Sequence, residues 1–272
     1  MRETIARVLR SYGLSSRSAG AEPAASTTDP GAQDLTQDIT DADFDAAAWH
    51  GKHTALPYSG LRRVVVRELP PADACVDAIA LRAVIAPPAP TDRRTLQQLN
   101  DKGVRGLRFR LAATNDLQAI VGWAERIVTL GWHIEVELPD APDAPALTEA
   151  EWVLLQLPVP TCFSGLAGYL TAHEAEAAFL VELVEMGRFW LKLSGTDIAG
   201  TRPPTRDALR RLVDAAMTVR ADRLVWGSGP TAPRENLSAH IDTAIATLRQ
   251  LLPDADSRNQ VLWANPAALY QF

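Results

Sequence analysis

The chain has 272 residues, of which 47% are hydrophobic and 22% charged, so it has enough apolar side chains for a large core and is not globally disordered. Its 27 basic and 33 acidic residues give a formal net charge of −6, which provides no basic face for nucleic acid or an anionic membrane. The length fits two domains or one large α/β barrel. Small-molecule chemistry is therefore the function class we expect.

The cysteine content predicts the compartment. Cys75 and Cys162 lie far apart in the sequence, which excludes a disulfide framework and a cysteine-rich zinc site. We expect the cytoplasm, where thiols stay reduced. Apolar runs stay well short of the roughly 18 residues that a membrane span needs, so we expect no membrane partner. The sequence leaves open whether the chain forms a homo-oligomer.

The first 60 residues differ in composition from the rest. Residues 15–48 are rich in Ser, Ala, Asp, Thr and Gly and contain few large apolar side chains. Burial cannot offset the entropy of ordering such a segment. We predict that residues 1–60 form an N-terminal extension, partly disordered or loosely attached, and that residues 61–272 form the folded domain.

After residue 60, short β-branched runs alternate with stretches of helical period, which is typical of repeated βα units. The starts of these runs lie mostly 25 to 34 residues apart, enough for one strand and one crossover helix each. The predicted strands are Arg62–Leu69, Ile79–Ala86, Val104–Leu111, Trp132–Leu138, Leu157–Phe163, Phe189–Gly195 and Arg223–Gly229. Because each connection is a crossover, the sheet should be parallel.

Capping residues and glycines predict where the intervening helices begin and end. Thr148 with Glu151, and Thr171 with Glu174, have the spacing of capping boxes, and Gly187 stands where the second of these helices should stop. Seven strands that alternate with helices predict an α/β fold, a TIM-like (β/α)8 barrel that is distorted or has its first strand hidden in residues 1–60. A seven-stranded doubly wound sheet is the alternative.

Three predicted strands carry polar side chains at alternate positions, where strands buried on both faces normally carry apolar ones. These side chains share one side of their strands, and the apolar neighbours share the other side. The set is Arg108, Arg110, His133, Glu135, Glu137, Lys192 and Ser194. If the apolar sides face the helices, the whole set points into one polar interior.

The chemistry of the set suggests a site for a small carboxylate-bearing molecule. The guanidinium fork binds both oxygens of a carboxylate, which suits Arg108 and Arg110, and Lys192 can polarise a carbonyl or hold a second carboxylate. We assign substrate binding to these three residues and to Ser194. A carboxylate can act as general base and an imidazole as acid, base or metal ligand, so the candidate catalytic residues are Glu135, Glu137 and His133. The structural alternative is an internal salt-bridge network between the arginines and glutamates.

Five segments occur in the order of a known family. They are Gly103–Phe109, Gly131–Glu135, Leu191–Gly195, Arg223–Gly227 and Asn265–Phe272. Together they resemble the amidohydrolase-related barrels, in particular the branch of 2-pyrone-4,6-dicarboxylate hydrolase. The resemblance runs from about residue 62 to the end. It implies a distorted (β/α)8 barrel with its site at the carboxyl ends of the strands, hydrolysing lactones or related carboxylated compounds.

The resemblance also shows what this chain lacks. The family's His-x-His is absent from residues 1–60, and its Asp-His-Met-Gly is replaced by Cys162 to Gly165. Its Thr-Asp is replaced by Ser228 and Gly229, and its Asp before Asn-Pro by Ala264. Each change removes a metal ligand or a proton-transfer group.

The family positions that remain are those expected to hold substrate. They are Arg108, His133, Lys192 and Ser194, with Glu135 where relatives often have Gln. We therefore predict no metal and no cofactor. The function is either metal-independent hydrolysis of a small carboxylated lactone or ester, or binding of a carboxylate metabolite or a partner protein by a catalytically inactive barrel.

Overall fold

The computed structural model of the chain describes residues 63–66, 80–89, 91–111, 116–141, 146–227 and 237–272. The predicted extension over residues 1–60, Cys75, Ser228 and Gly229 lie outside this part. The described strands form one parallel sheet in sequence order. They are β1 (Arg63–Val66), β2 (Ala80–Ile85), β3 (Val104–Arg110), β4 (His133–Glu137), β5 (Thr161–Ser164), β6 (Phe189–Ser194) and β7 (Leu224–Gly227).

The strand order confirms the predicted α/β barrel-like class. Each strand pairs with the next along the chain, whereas a doubly wound sheet reverses its order at a switch point. Within the described residues, the sheet is a partial barrel with β1 and β7 at its ends. The predicted start of β5 at Leu157 is wrong, because Pro158 and Pro160 lack the N–H groups that a central strand needs.

Helices follow the strands along the chain. Those in the described residues are α1 (Arg93–Asp101), α2 (Asp116–Ile127), α3 (Glu151–Gln156), α4 (Leu166–Ala172), α5 (Glu176–Glu185), α6 (Gly195–Ala199), α7 (Pro203–Arg220), α8 (Leu237–Leu251), α9 (Ala255–Asn259) and α10 (Asn265–Tyr270). In the described part of the chain, no helix is long and apolar enough to cross a membrane.

The helix-end predictions had mixed outcomes. Gly187 follows α5 with a φ of 81°, as expected of a glycine that ends a helix. Both predicted capping boxes are wrong. The Thr148 hydroxyl and backbone N–H donate to the distant Glu176 carboxylate. Thr171 lies inside α4, where its hydroxyl donates to the carbonyl of Ala167.

The apolar sides of the strands face the helices. On β4, Ile134 and Val136 are completely buried in the large core between sheet and helices. A smaller cluster fills the opposite, inner side of the sheet: Val65, Val84, Cys162, Trp190, Val225, Leu269 and Tyr270. The concave interior therefore has an apolar layer, to which the C-terminal helix contributes two side chains.

The C-terminal residues are fixed beneath this interior by hydrogen bonds. The Asn265 amide donates to the carbonyls of Ala221 and Leu224, each at 2.7 Å. The Arg82 guanidinium donates to the carbonyl of Gln271 at 2.8 and 3.2 Å. These bonds hold α10 against β7 and β2, so its side chains close the interior on the side opposite the carboxyl ends of the strands.

Candidate functional site

The outermost polar pair of the interior joins β3 and β4. Nη1 of Arg108 lies 3.3 Å from Oε2 of Glu137, and both side chains are partly exposed. In the register of the two strands, Arg108 is opposite Glu135 and Arg110 is opposite Glu137. The ion pair is therefore diagonal, and Arg110 forms no ion pair with any of the described residues.

A second pair lies deeper and spans two strand intervals, from β4 to β6. Nζ of Lys192 lies 3.3 Å from Oε2 of Glu135, and the two side chains are only 2% and 1% exposed. The neighbouring residue on β5, in register with Glu135, is the buried Cys162. Because an isolated buried charge costs several kcal/mol, each member of this pair depends on the other.

The ring of His133 lies deepest of the predicted set. It packs against Gly106, where an added Cβ would approach the ring to 2.6 Å, and edge-on against Tyr270 with 5.3 Å between ring centroids. Neither ring nitrogen makes a hydrogen bond of good geometry to a described residue, although the backbone of Arg105 interacts with the ring. Burial lowers the pKa of His133 to about 4; Glu135 opposes this shift and Lys192 adds to it. His133 is thus a neutral ring in the lower interior.

A cavity of about 570 Å³ opens at the carboxyl ends of β3 to β6. Its lining residues are Arg110, Glu137, Leu138, Asp140, Ser164, Gly165, Ala167, Gly168, Thr171, Ser194, Gly200, Thr201, Arg202 and Thr205. The structure therefore divides the predicted set into two groups. Arg110, Glu137 and Ser194 line the cavity, whereas Arg108, Glu135, Lys192 and His133 are not part of its wall.

Two arginines face the cavity without an acidic partner in the described part of the chain. Arg110 stands at the end of β3, and Arg202 is the residue immediately before α7; both are exposed. The cavity also contains two carboxylates, Glu137 and the exposed Asp140. The site can therefore attract an anion while it keeps a carboxylate available for proton transfer.

Asp140 and Arg202 were not predicted from the sequence, because the candidate site residues were chosen by alternation within strands. Asp140 follows β4 by three residues, and Arg202 precedes the Pro203-Pro204 start of α7. A signal was available, since parallel barrels build their sites from the loops that follow the strands. Thr201 and Thr205 of the wall were missed as well, and Thr171 was interpreted as a helix cap.

The turn after β5 fixes the position of Ser164 in the cavity wall. Gly165 adopts a φ of 75°, and an added Cβ would lie 2.5 Å from the carbonyl oxygen of Leu138. Only glycine fits this left-handed, crowded position. The backbone N–H of Leu138 donates to the carbonyl of Ser164 at 2.9 Å, so the ends of β4 and β5 are joined directly beside the cavity.

The donor set of this site does not suit a divalent cation. Arg108 and Lys192 lie beside the two interior glutamates, and Arg110 adds a further positive charge. Across the described residues, no cluster of three or more His, Cys, Asp or Glu side chains is arranged to hold a metal ion. Cations placed against the carboxylates would repel a metal.

Fold and site together define a class: a parallel barrel-like α/β protein with a polar, anion-attracting cavity at the carboxyl ends of its strands. The chain belongs to the amidohydrolase family, whose model matches residues 18–272. It is similar to a 2-pyrone-4,6-dicarboxylate hydrolase of Comamonas testosteroni, with 29% identity over 192 residues. That match covers 64% of this chain and spans 62% of the relative's length.

Solved structures share the fold. An Agrobacterium tumefaciens protein, crystallised without ligand, superposes with a TM-score of 0.63 at 21% identity, covering 89% of this chain and 90% of that one. An Acinetobacter baumannii protein assigned as a 2-pyrone-4,6-dicarboxylic acid hydrolase, with citric acid bound, gives 0.62 at 18% identity, covering 89% and 97%. These likenesses establish the amidohydrolase barrel as the architecture.

Proposed function

We propose that this protein hydrolyses a small carboxylated lactone or ester without a metal ion, in the cavity at the carboxyl ends of β3 to β6. One observation carries the proposal: Arg110, which has no acidic partner among the described residues, and Glu137 are register partners on β3 and β4 and line the same cavity. A guanidinium binds a substrate carboxylate through two hydrogen bonds, and a nearby carboxylate can accept a proton from water. The 2-pyrone-4,6-dicarboxylate hydrolase relative supports a lactone as the substrate.

In the proposed reaction, Arg110 anchors a carboxylate of the substrate and Glu137 receives a proton from a water molecule. The oxygen of that water bonds to the lactone carbonyl carbon, and the ring C–O bond then breaks. The proton held by Glu137 passes to the departing ring oxygen, so the carboxylate is regenerated. Arg108, 3.3 Å from Glu137, keeps the base oriented toward the cavity. The product is the ring-opened acid.

The interior ion pairs favour Glu137 over Glu135 as the base. Glu135 is 1% exposed, bound to Lys192 and absent from the cavity wall. Glu137 is 30% exposed and lines the cavity. We therefore assign Glu135, Lys192 and His133 to the support of the site, and Arg110, Glu137 and Ser194 to contact with the substrate.

Turnover of 2-pyrone-4,6-dicarboxylate and of muconolactones by the purified full-length chain, measured against buffer alone, tests the proposal. Replacing a general base typically lowers the rate by about 10² to 10⁴. We expect that loss for Glu137→Gln, because glutamine keeps the hydrogen bond to Arg108 but cannot accept a proton. Asp207→Asn, a matched control at an exposed position of α7 outside the cavity wall, should stay within about twofold of wild type. Equal rates for wild type and Glu137→Gln would contradict the proposal.

The second candidate is a barrel that binds a carboxylate metabolite without converting it. It is favoured by the pairing of both interior glutamates with cations and by the placement of His133 outside the cavity wall. Binding alone stabilises the folded state by linkage. Ligand-induced thermal stabilisation with no product after long incubation would identify this function.

A further inference from the structure

The hydroxyl of Ser164 stands out among the polar atoms of the interior. Its Oγ is buried and has no hydrogen-bond partner in the described part of the chain. Other buried side-chain atoms share this property: Arg105 Nε, both His133 ring nitrogens, Glu135 Oε1, Thr161 Oγ1, His173 Nε2 and Trp226 Nε1. Of the residues named, only Ser164 also lines the 570 Å³ cavity.

A buried hydroxyl without a partner destabilises the folded protein, because it has left its hydrogen bonds to water unreplaced. The backbone around Ser164 holds this residue at the cavity. Gly165 holds the following turn in a left-handed conformation against the carbonyl of Leu138, and β4 and β5 are hydrogen-bonded at this point. An unsatisfied hydroxyl beside a binding cavity is expected where a bound ligand supplies the missing hydrogen-bond partner.

Two other hydroxyls of the wall, those of Thr171 and Thr205, have partners within the protein. Thr171 donates to the carbonyl of Ala167 and lies 3.3 Å from the Thr205 hydroxyl. Ser164, by contrast, follows Phe163 at the carboxyl end of β5 and is in register with Glu137, the cavity carboxylate. A ligand that presents its reacting carbonyl to Glu137 would bring an oxygen acceptor within reach of Ser164.

We propose that Ser164 is a ligand-binding residue whose hydroxyl donates a hydrogen bond to a carbonyl or carboxylate oxygen of the molecule in this cavity. This inference rests on the proposed function for the identity of the ligand. The bond supplies a direct contact between β5 and the ligand, and the apo protein is less stable for lack of it.

Two variants test this role, Ser164→Ala and the matched control Thr247→Val, which removes a buried hydroxyl of α8 that donates to the carbonyl of Thr243 and lies outside the cavity wall. Melting temperatures are measured without ligand and with 2-pyrone-4,6-dicarboxylate or citrate, and affinities by calorimetry. Ser164→Ala should melt about 2 °C or more above wild type without ligand, because it removes an unsatisfied group. It should bind the probe about tenfold more weakly. Thr247→Val should not melt above wild type and should keep the wild-type affinity.

The higher melting temperature without ligand and the weaker ligand binding of Ser164→Ala together distinguish a ligand-binding role from a structural one. A Ser164→Ala protein that melts below wild type and binds the probes as tightly as wild type would overturn the inference, even if lactone turnover is observed. Wild type that binds a probe but yields no product would contradict only the proposed reaction. In that case, weaker binding by Ser164→Ala still supports the inference.

Discussion

The buried ring of His133 should make the protein lose stability as the pH falls below 6.5. The pKa of this ring is about 4 in the folded protein, against 6.5 for an unperturbed histidine. Between these values the unfolded chain binds a proton that the folded chain does not, so the free energy of unfolding decreases as the pH falls toward 4 and is unaffected well above 6.5. The linkage relation gives a loss of about 2 kcal/mol between pH 7 and pH 5, growing to roughly 3 kcal/mol near pH 4.

The comparison that isolates this effect is His133→Phe, because a phenyl ring has a similar flat shape for the space beside Gly106 and Tyr270. Urea unfolding of both proteins at steps from pH 7.5 to pH 5 measures the difference in unfolding free energy. Groups remote from the ring contribute equally to both curves and cancel. We expect wild type to lose about 2 kcal/mol relative to the variant over this range. Parallel curves would refute the assignment of a neutral, solvent-excluded ring to His133.

Two further predictions concern the support of the site. Lys192→Met should lower the free energy of unfolding by about 3 to 5 kcal/mol, because it leaves Glu135 charged and buried. In chemical denaturation, the double variant Lys192→Met/Glu135→Leu should recover most of this loss. A double variant no more stable than the single one would contradict the pairing. Gly165→Ala should lower the free energy of unfolding by about 2 to 4 kcal/mol, because alanine disfavours the positive φ and its Cβ would contact the Leu138 carbonyl. Thermal melting measures this loss, and an unchanged melting temperature would contradict the crowding at this turn.

The strands and their polarity could be predicted because period-two patterns act locally. All seven strands lie within the predicted runs apart from small end differences and the start of β5. The apolar positions of β4 face the helices, and the polar positions of β3, β4 and β6 face the interior. Helix starts were harder, since Thr148 and Thr171 have capping-box spacing but bind other partners. A short motif does not fix its partner when tertiary neighbours offer a better one.

The alternating pattern of polar residues could not show which of them line the cavity and which are buried beneath it. Side-chain direction along a strand repeats every two residues, so Lys192 and Ser194 are equivalent in sequence. Their depth differs, because successive inward residues occupy successive layers of a barrel. Lys192 lies in the buried layer with Glu135, and Ser194 lies at the cavity.

The amino-acid sequence by itself determined the parallel α/β architecture, the family and the inward direction of the charged side chains, because hydrophobic periodicity and local motifs act over a few residues. Only the tertiary structure decided which carboxylate faces the cavity, which cations are paired, and that Asp140, Ser164 and Arg202 join the wall. These properties depend on strand register and on the loops at the carboxyl ends of β4 to β6, which bring residues distant in the chain together. Long-range packing, not local pattern, sets such distances.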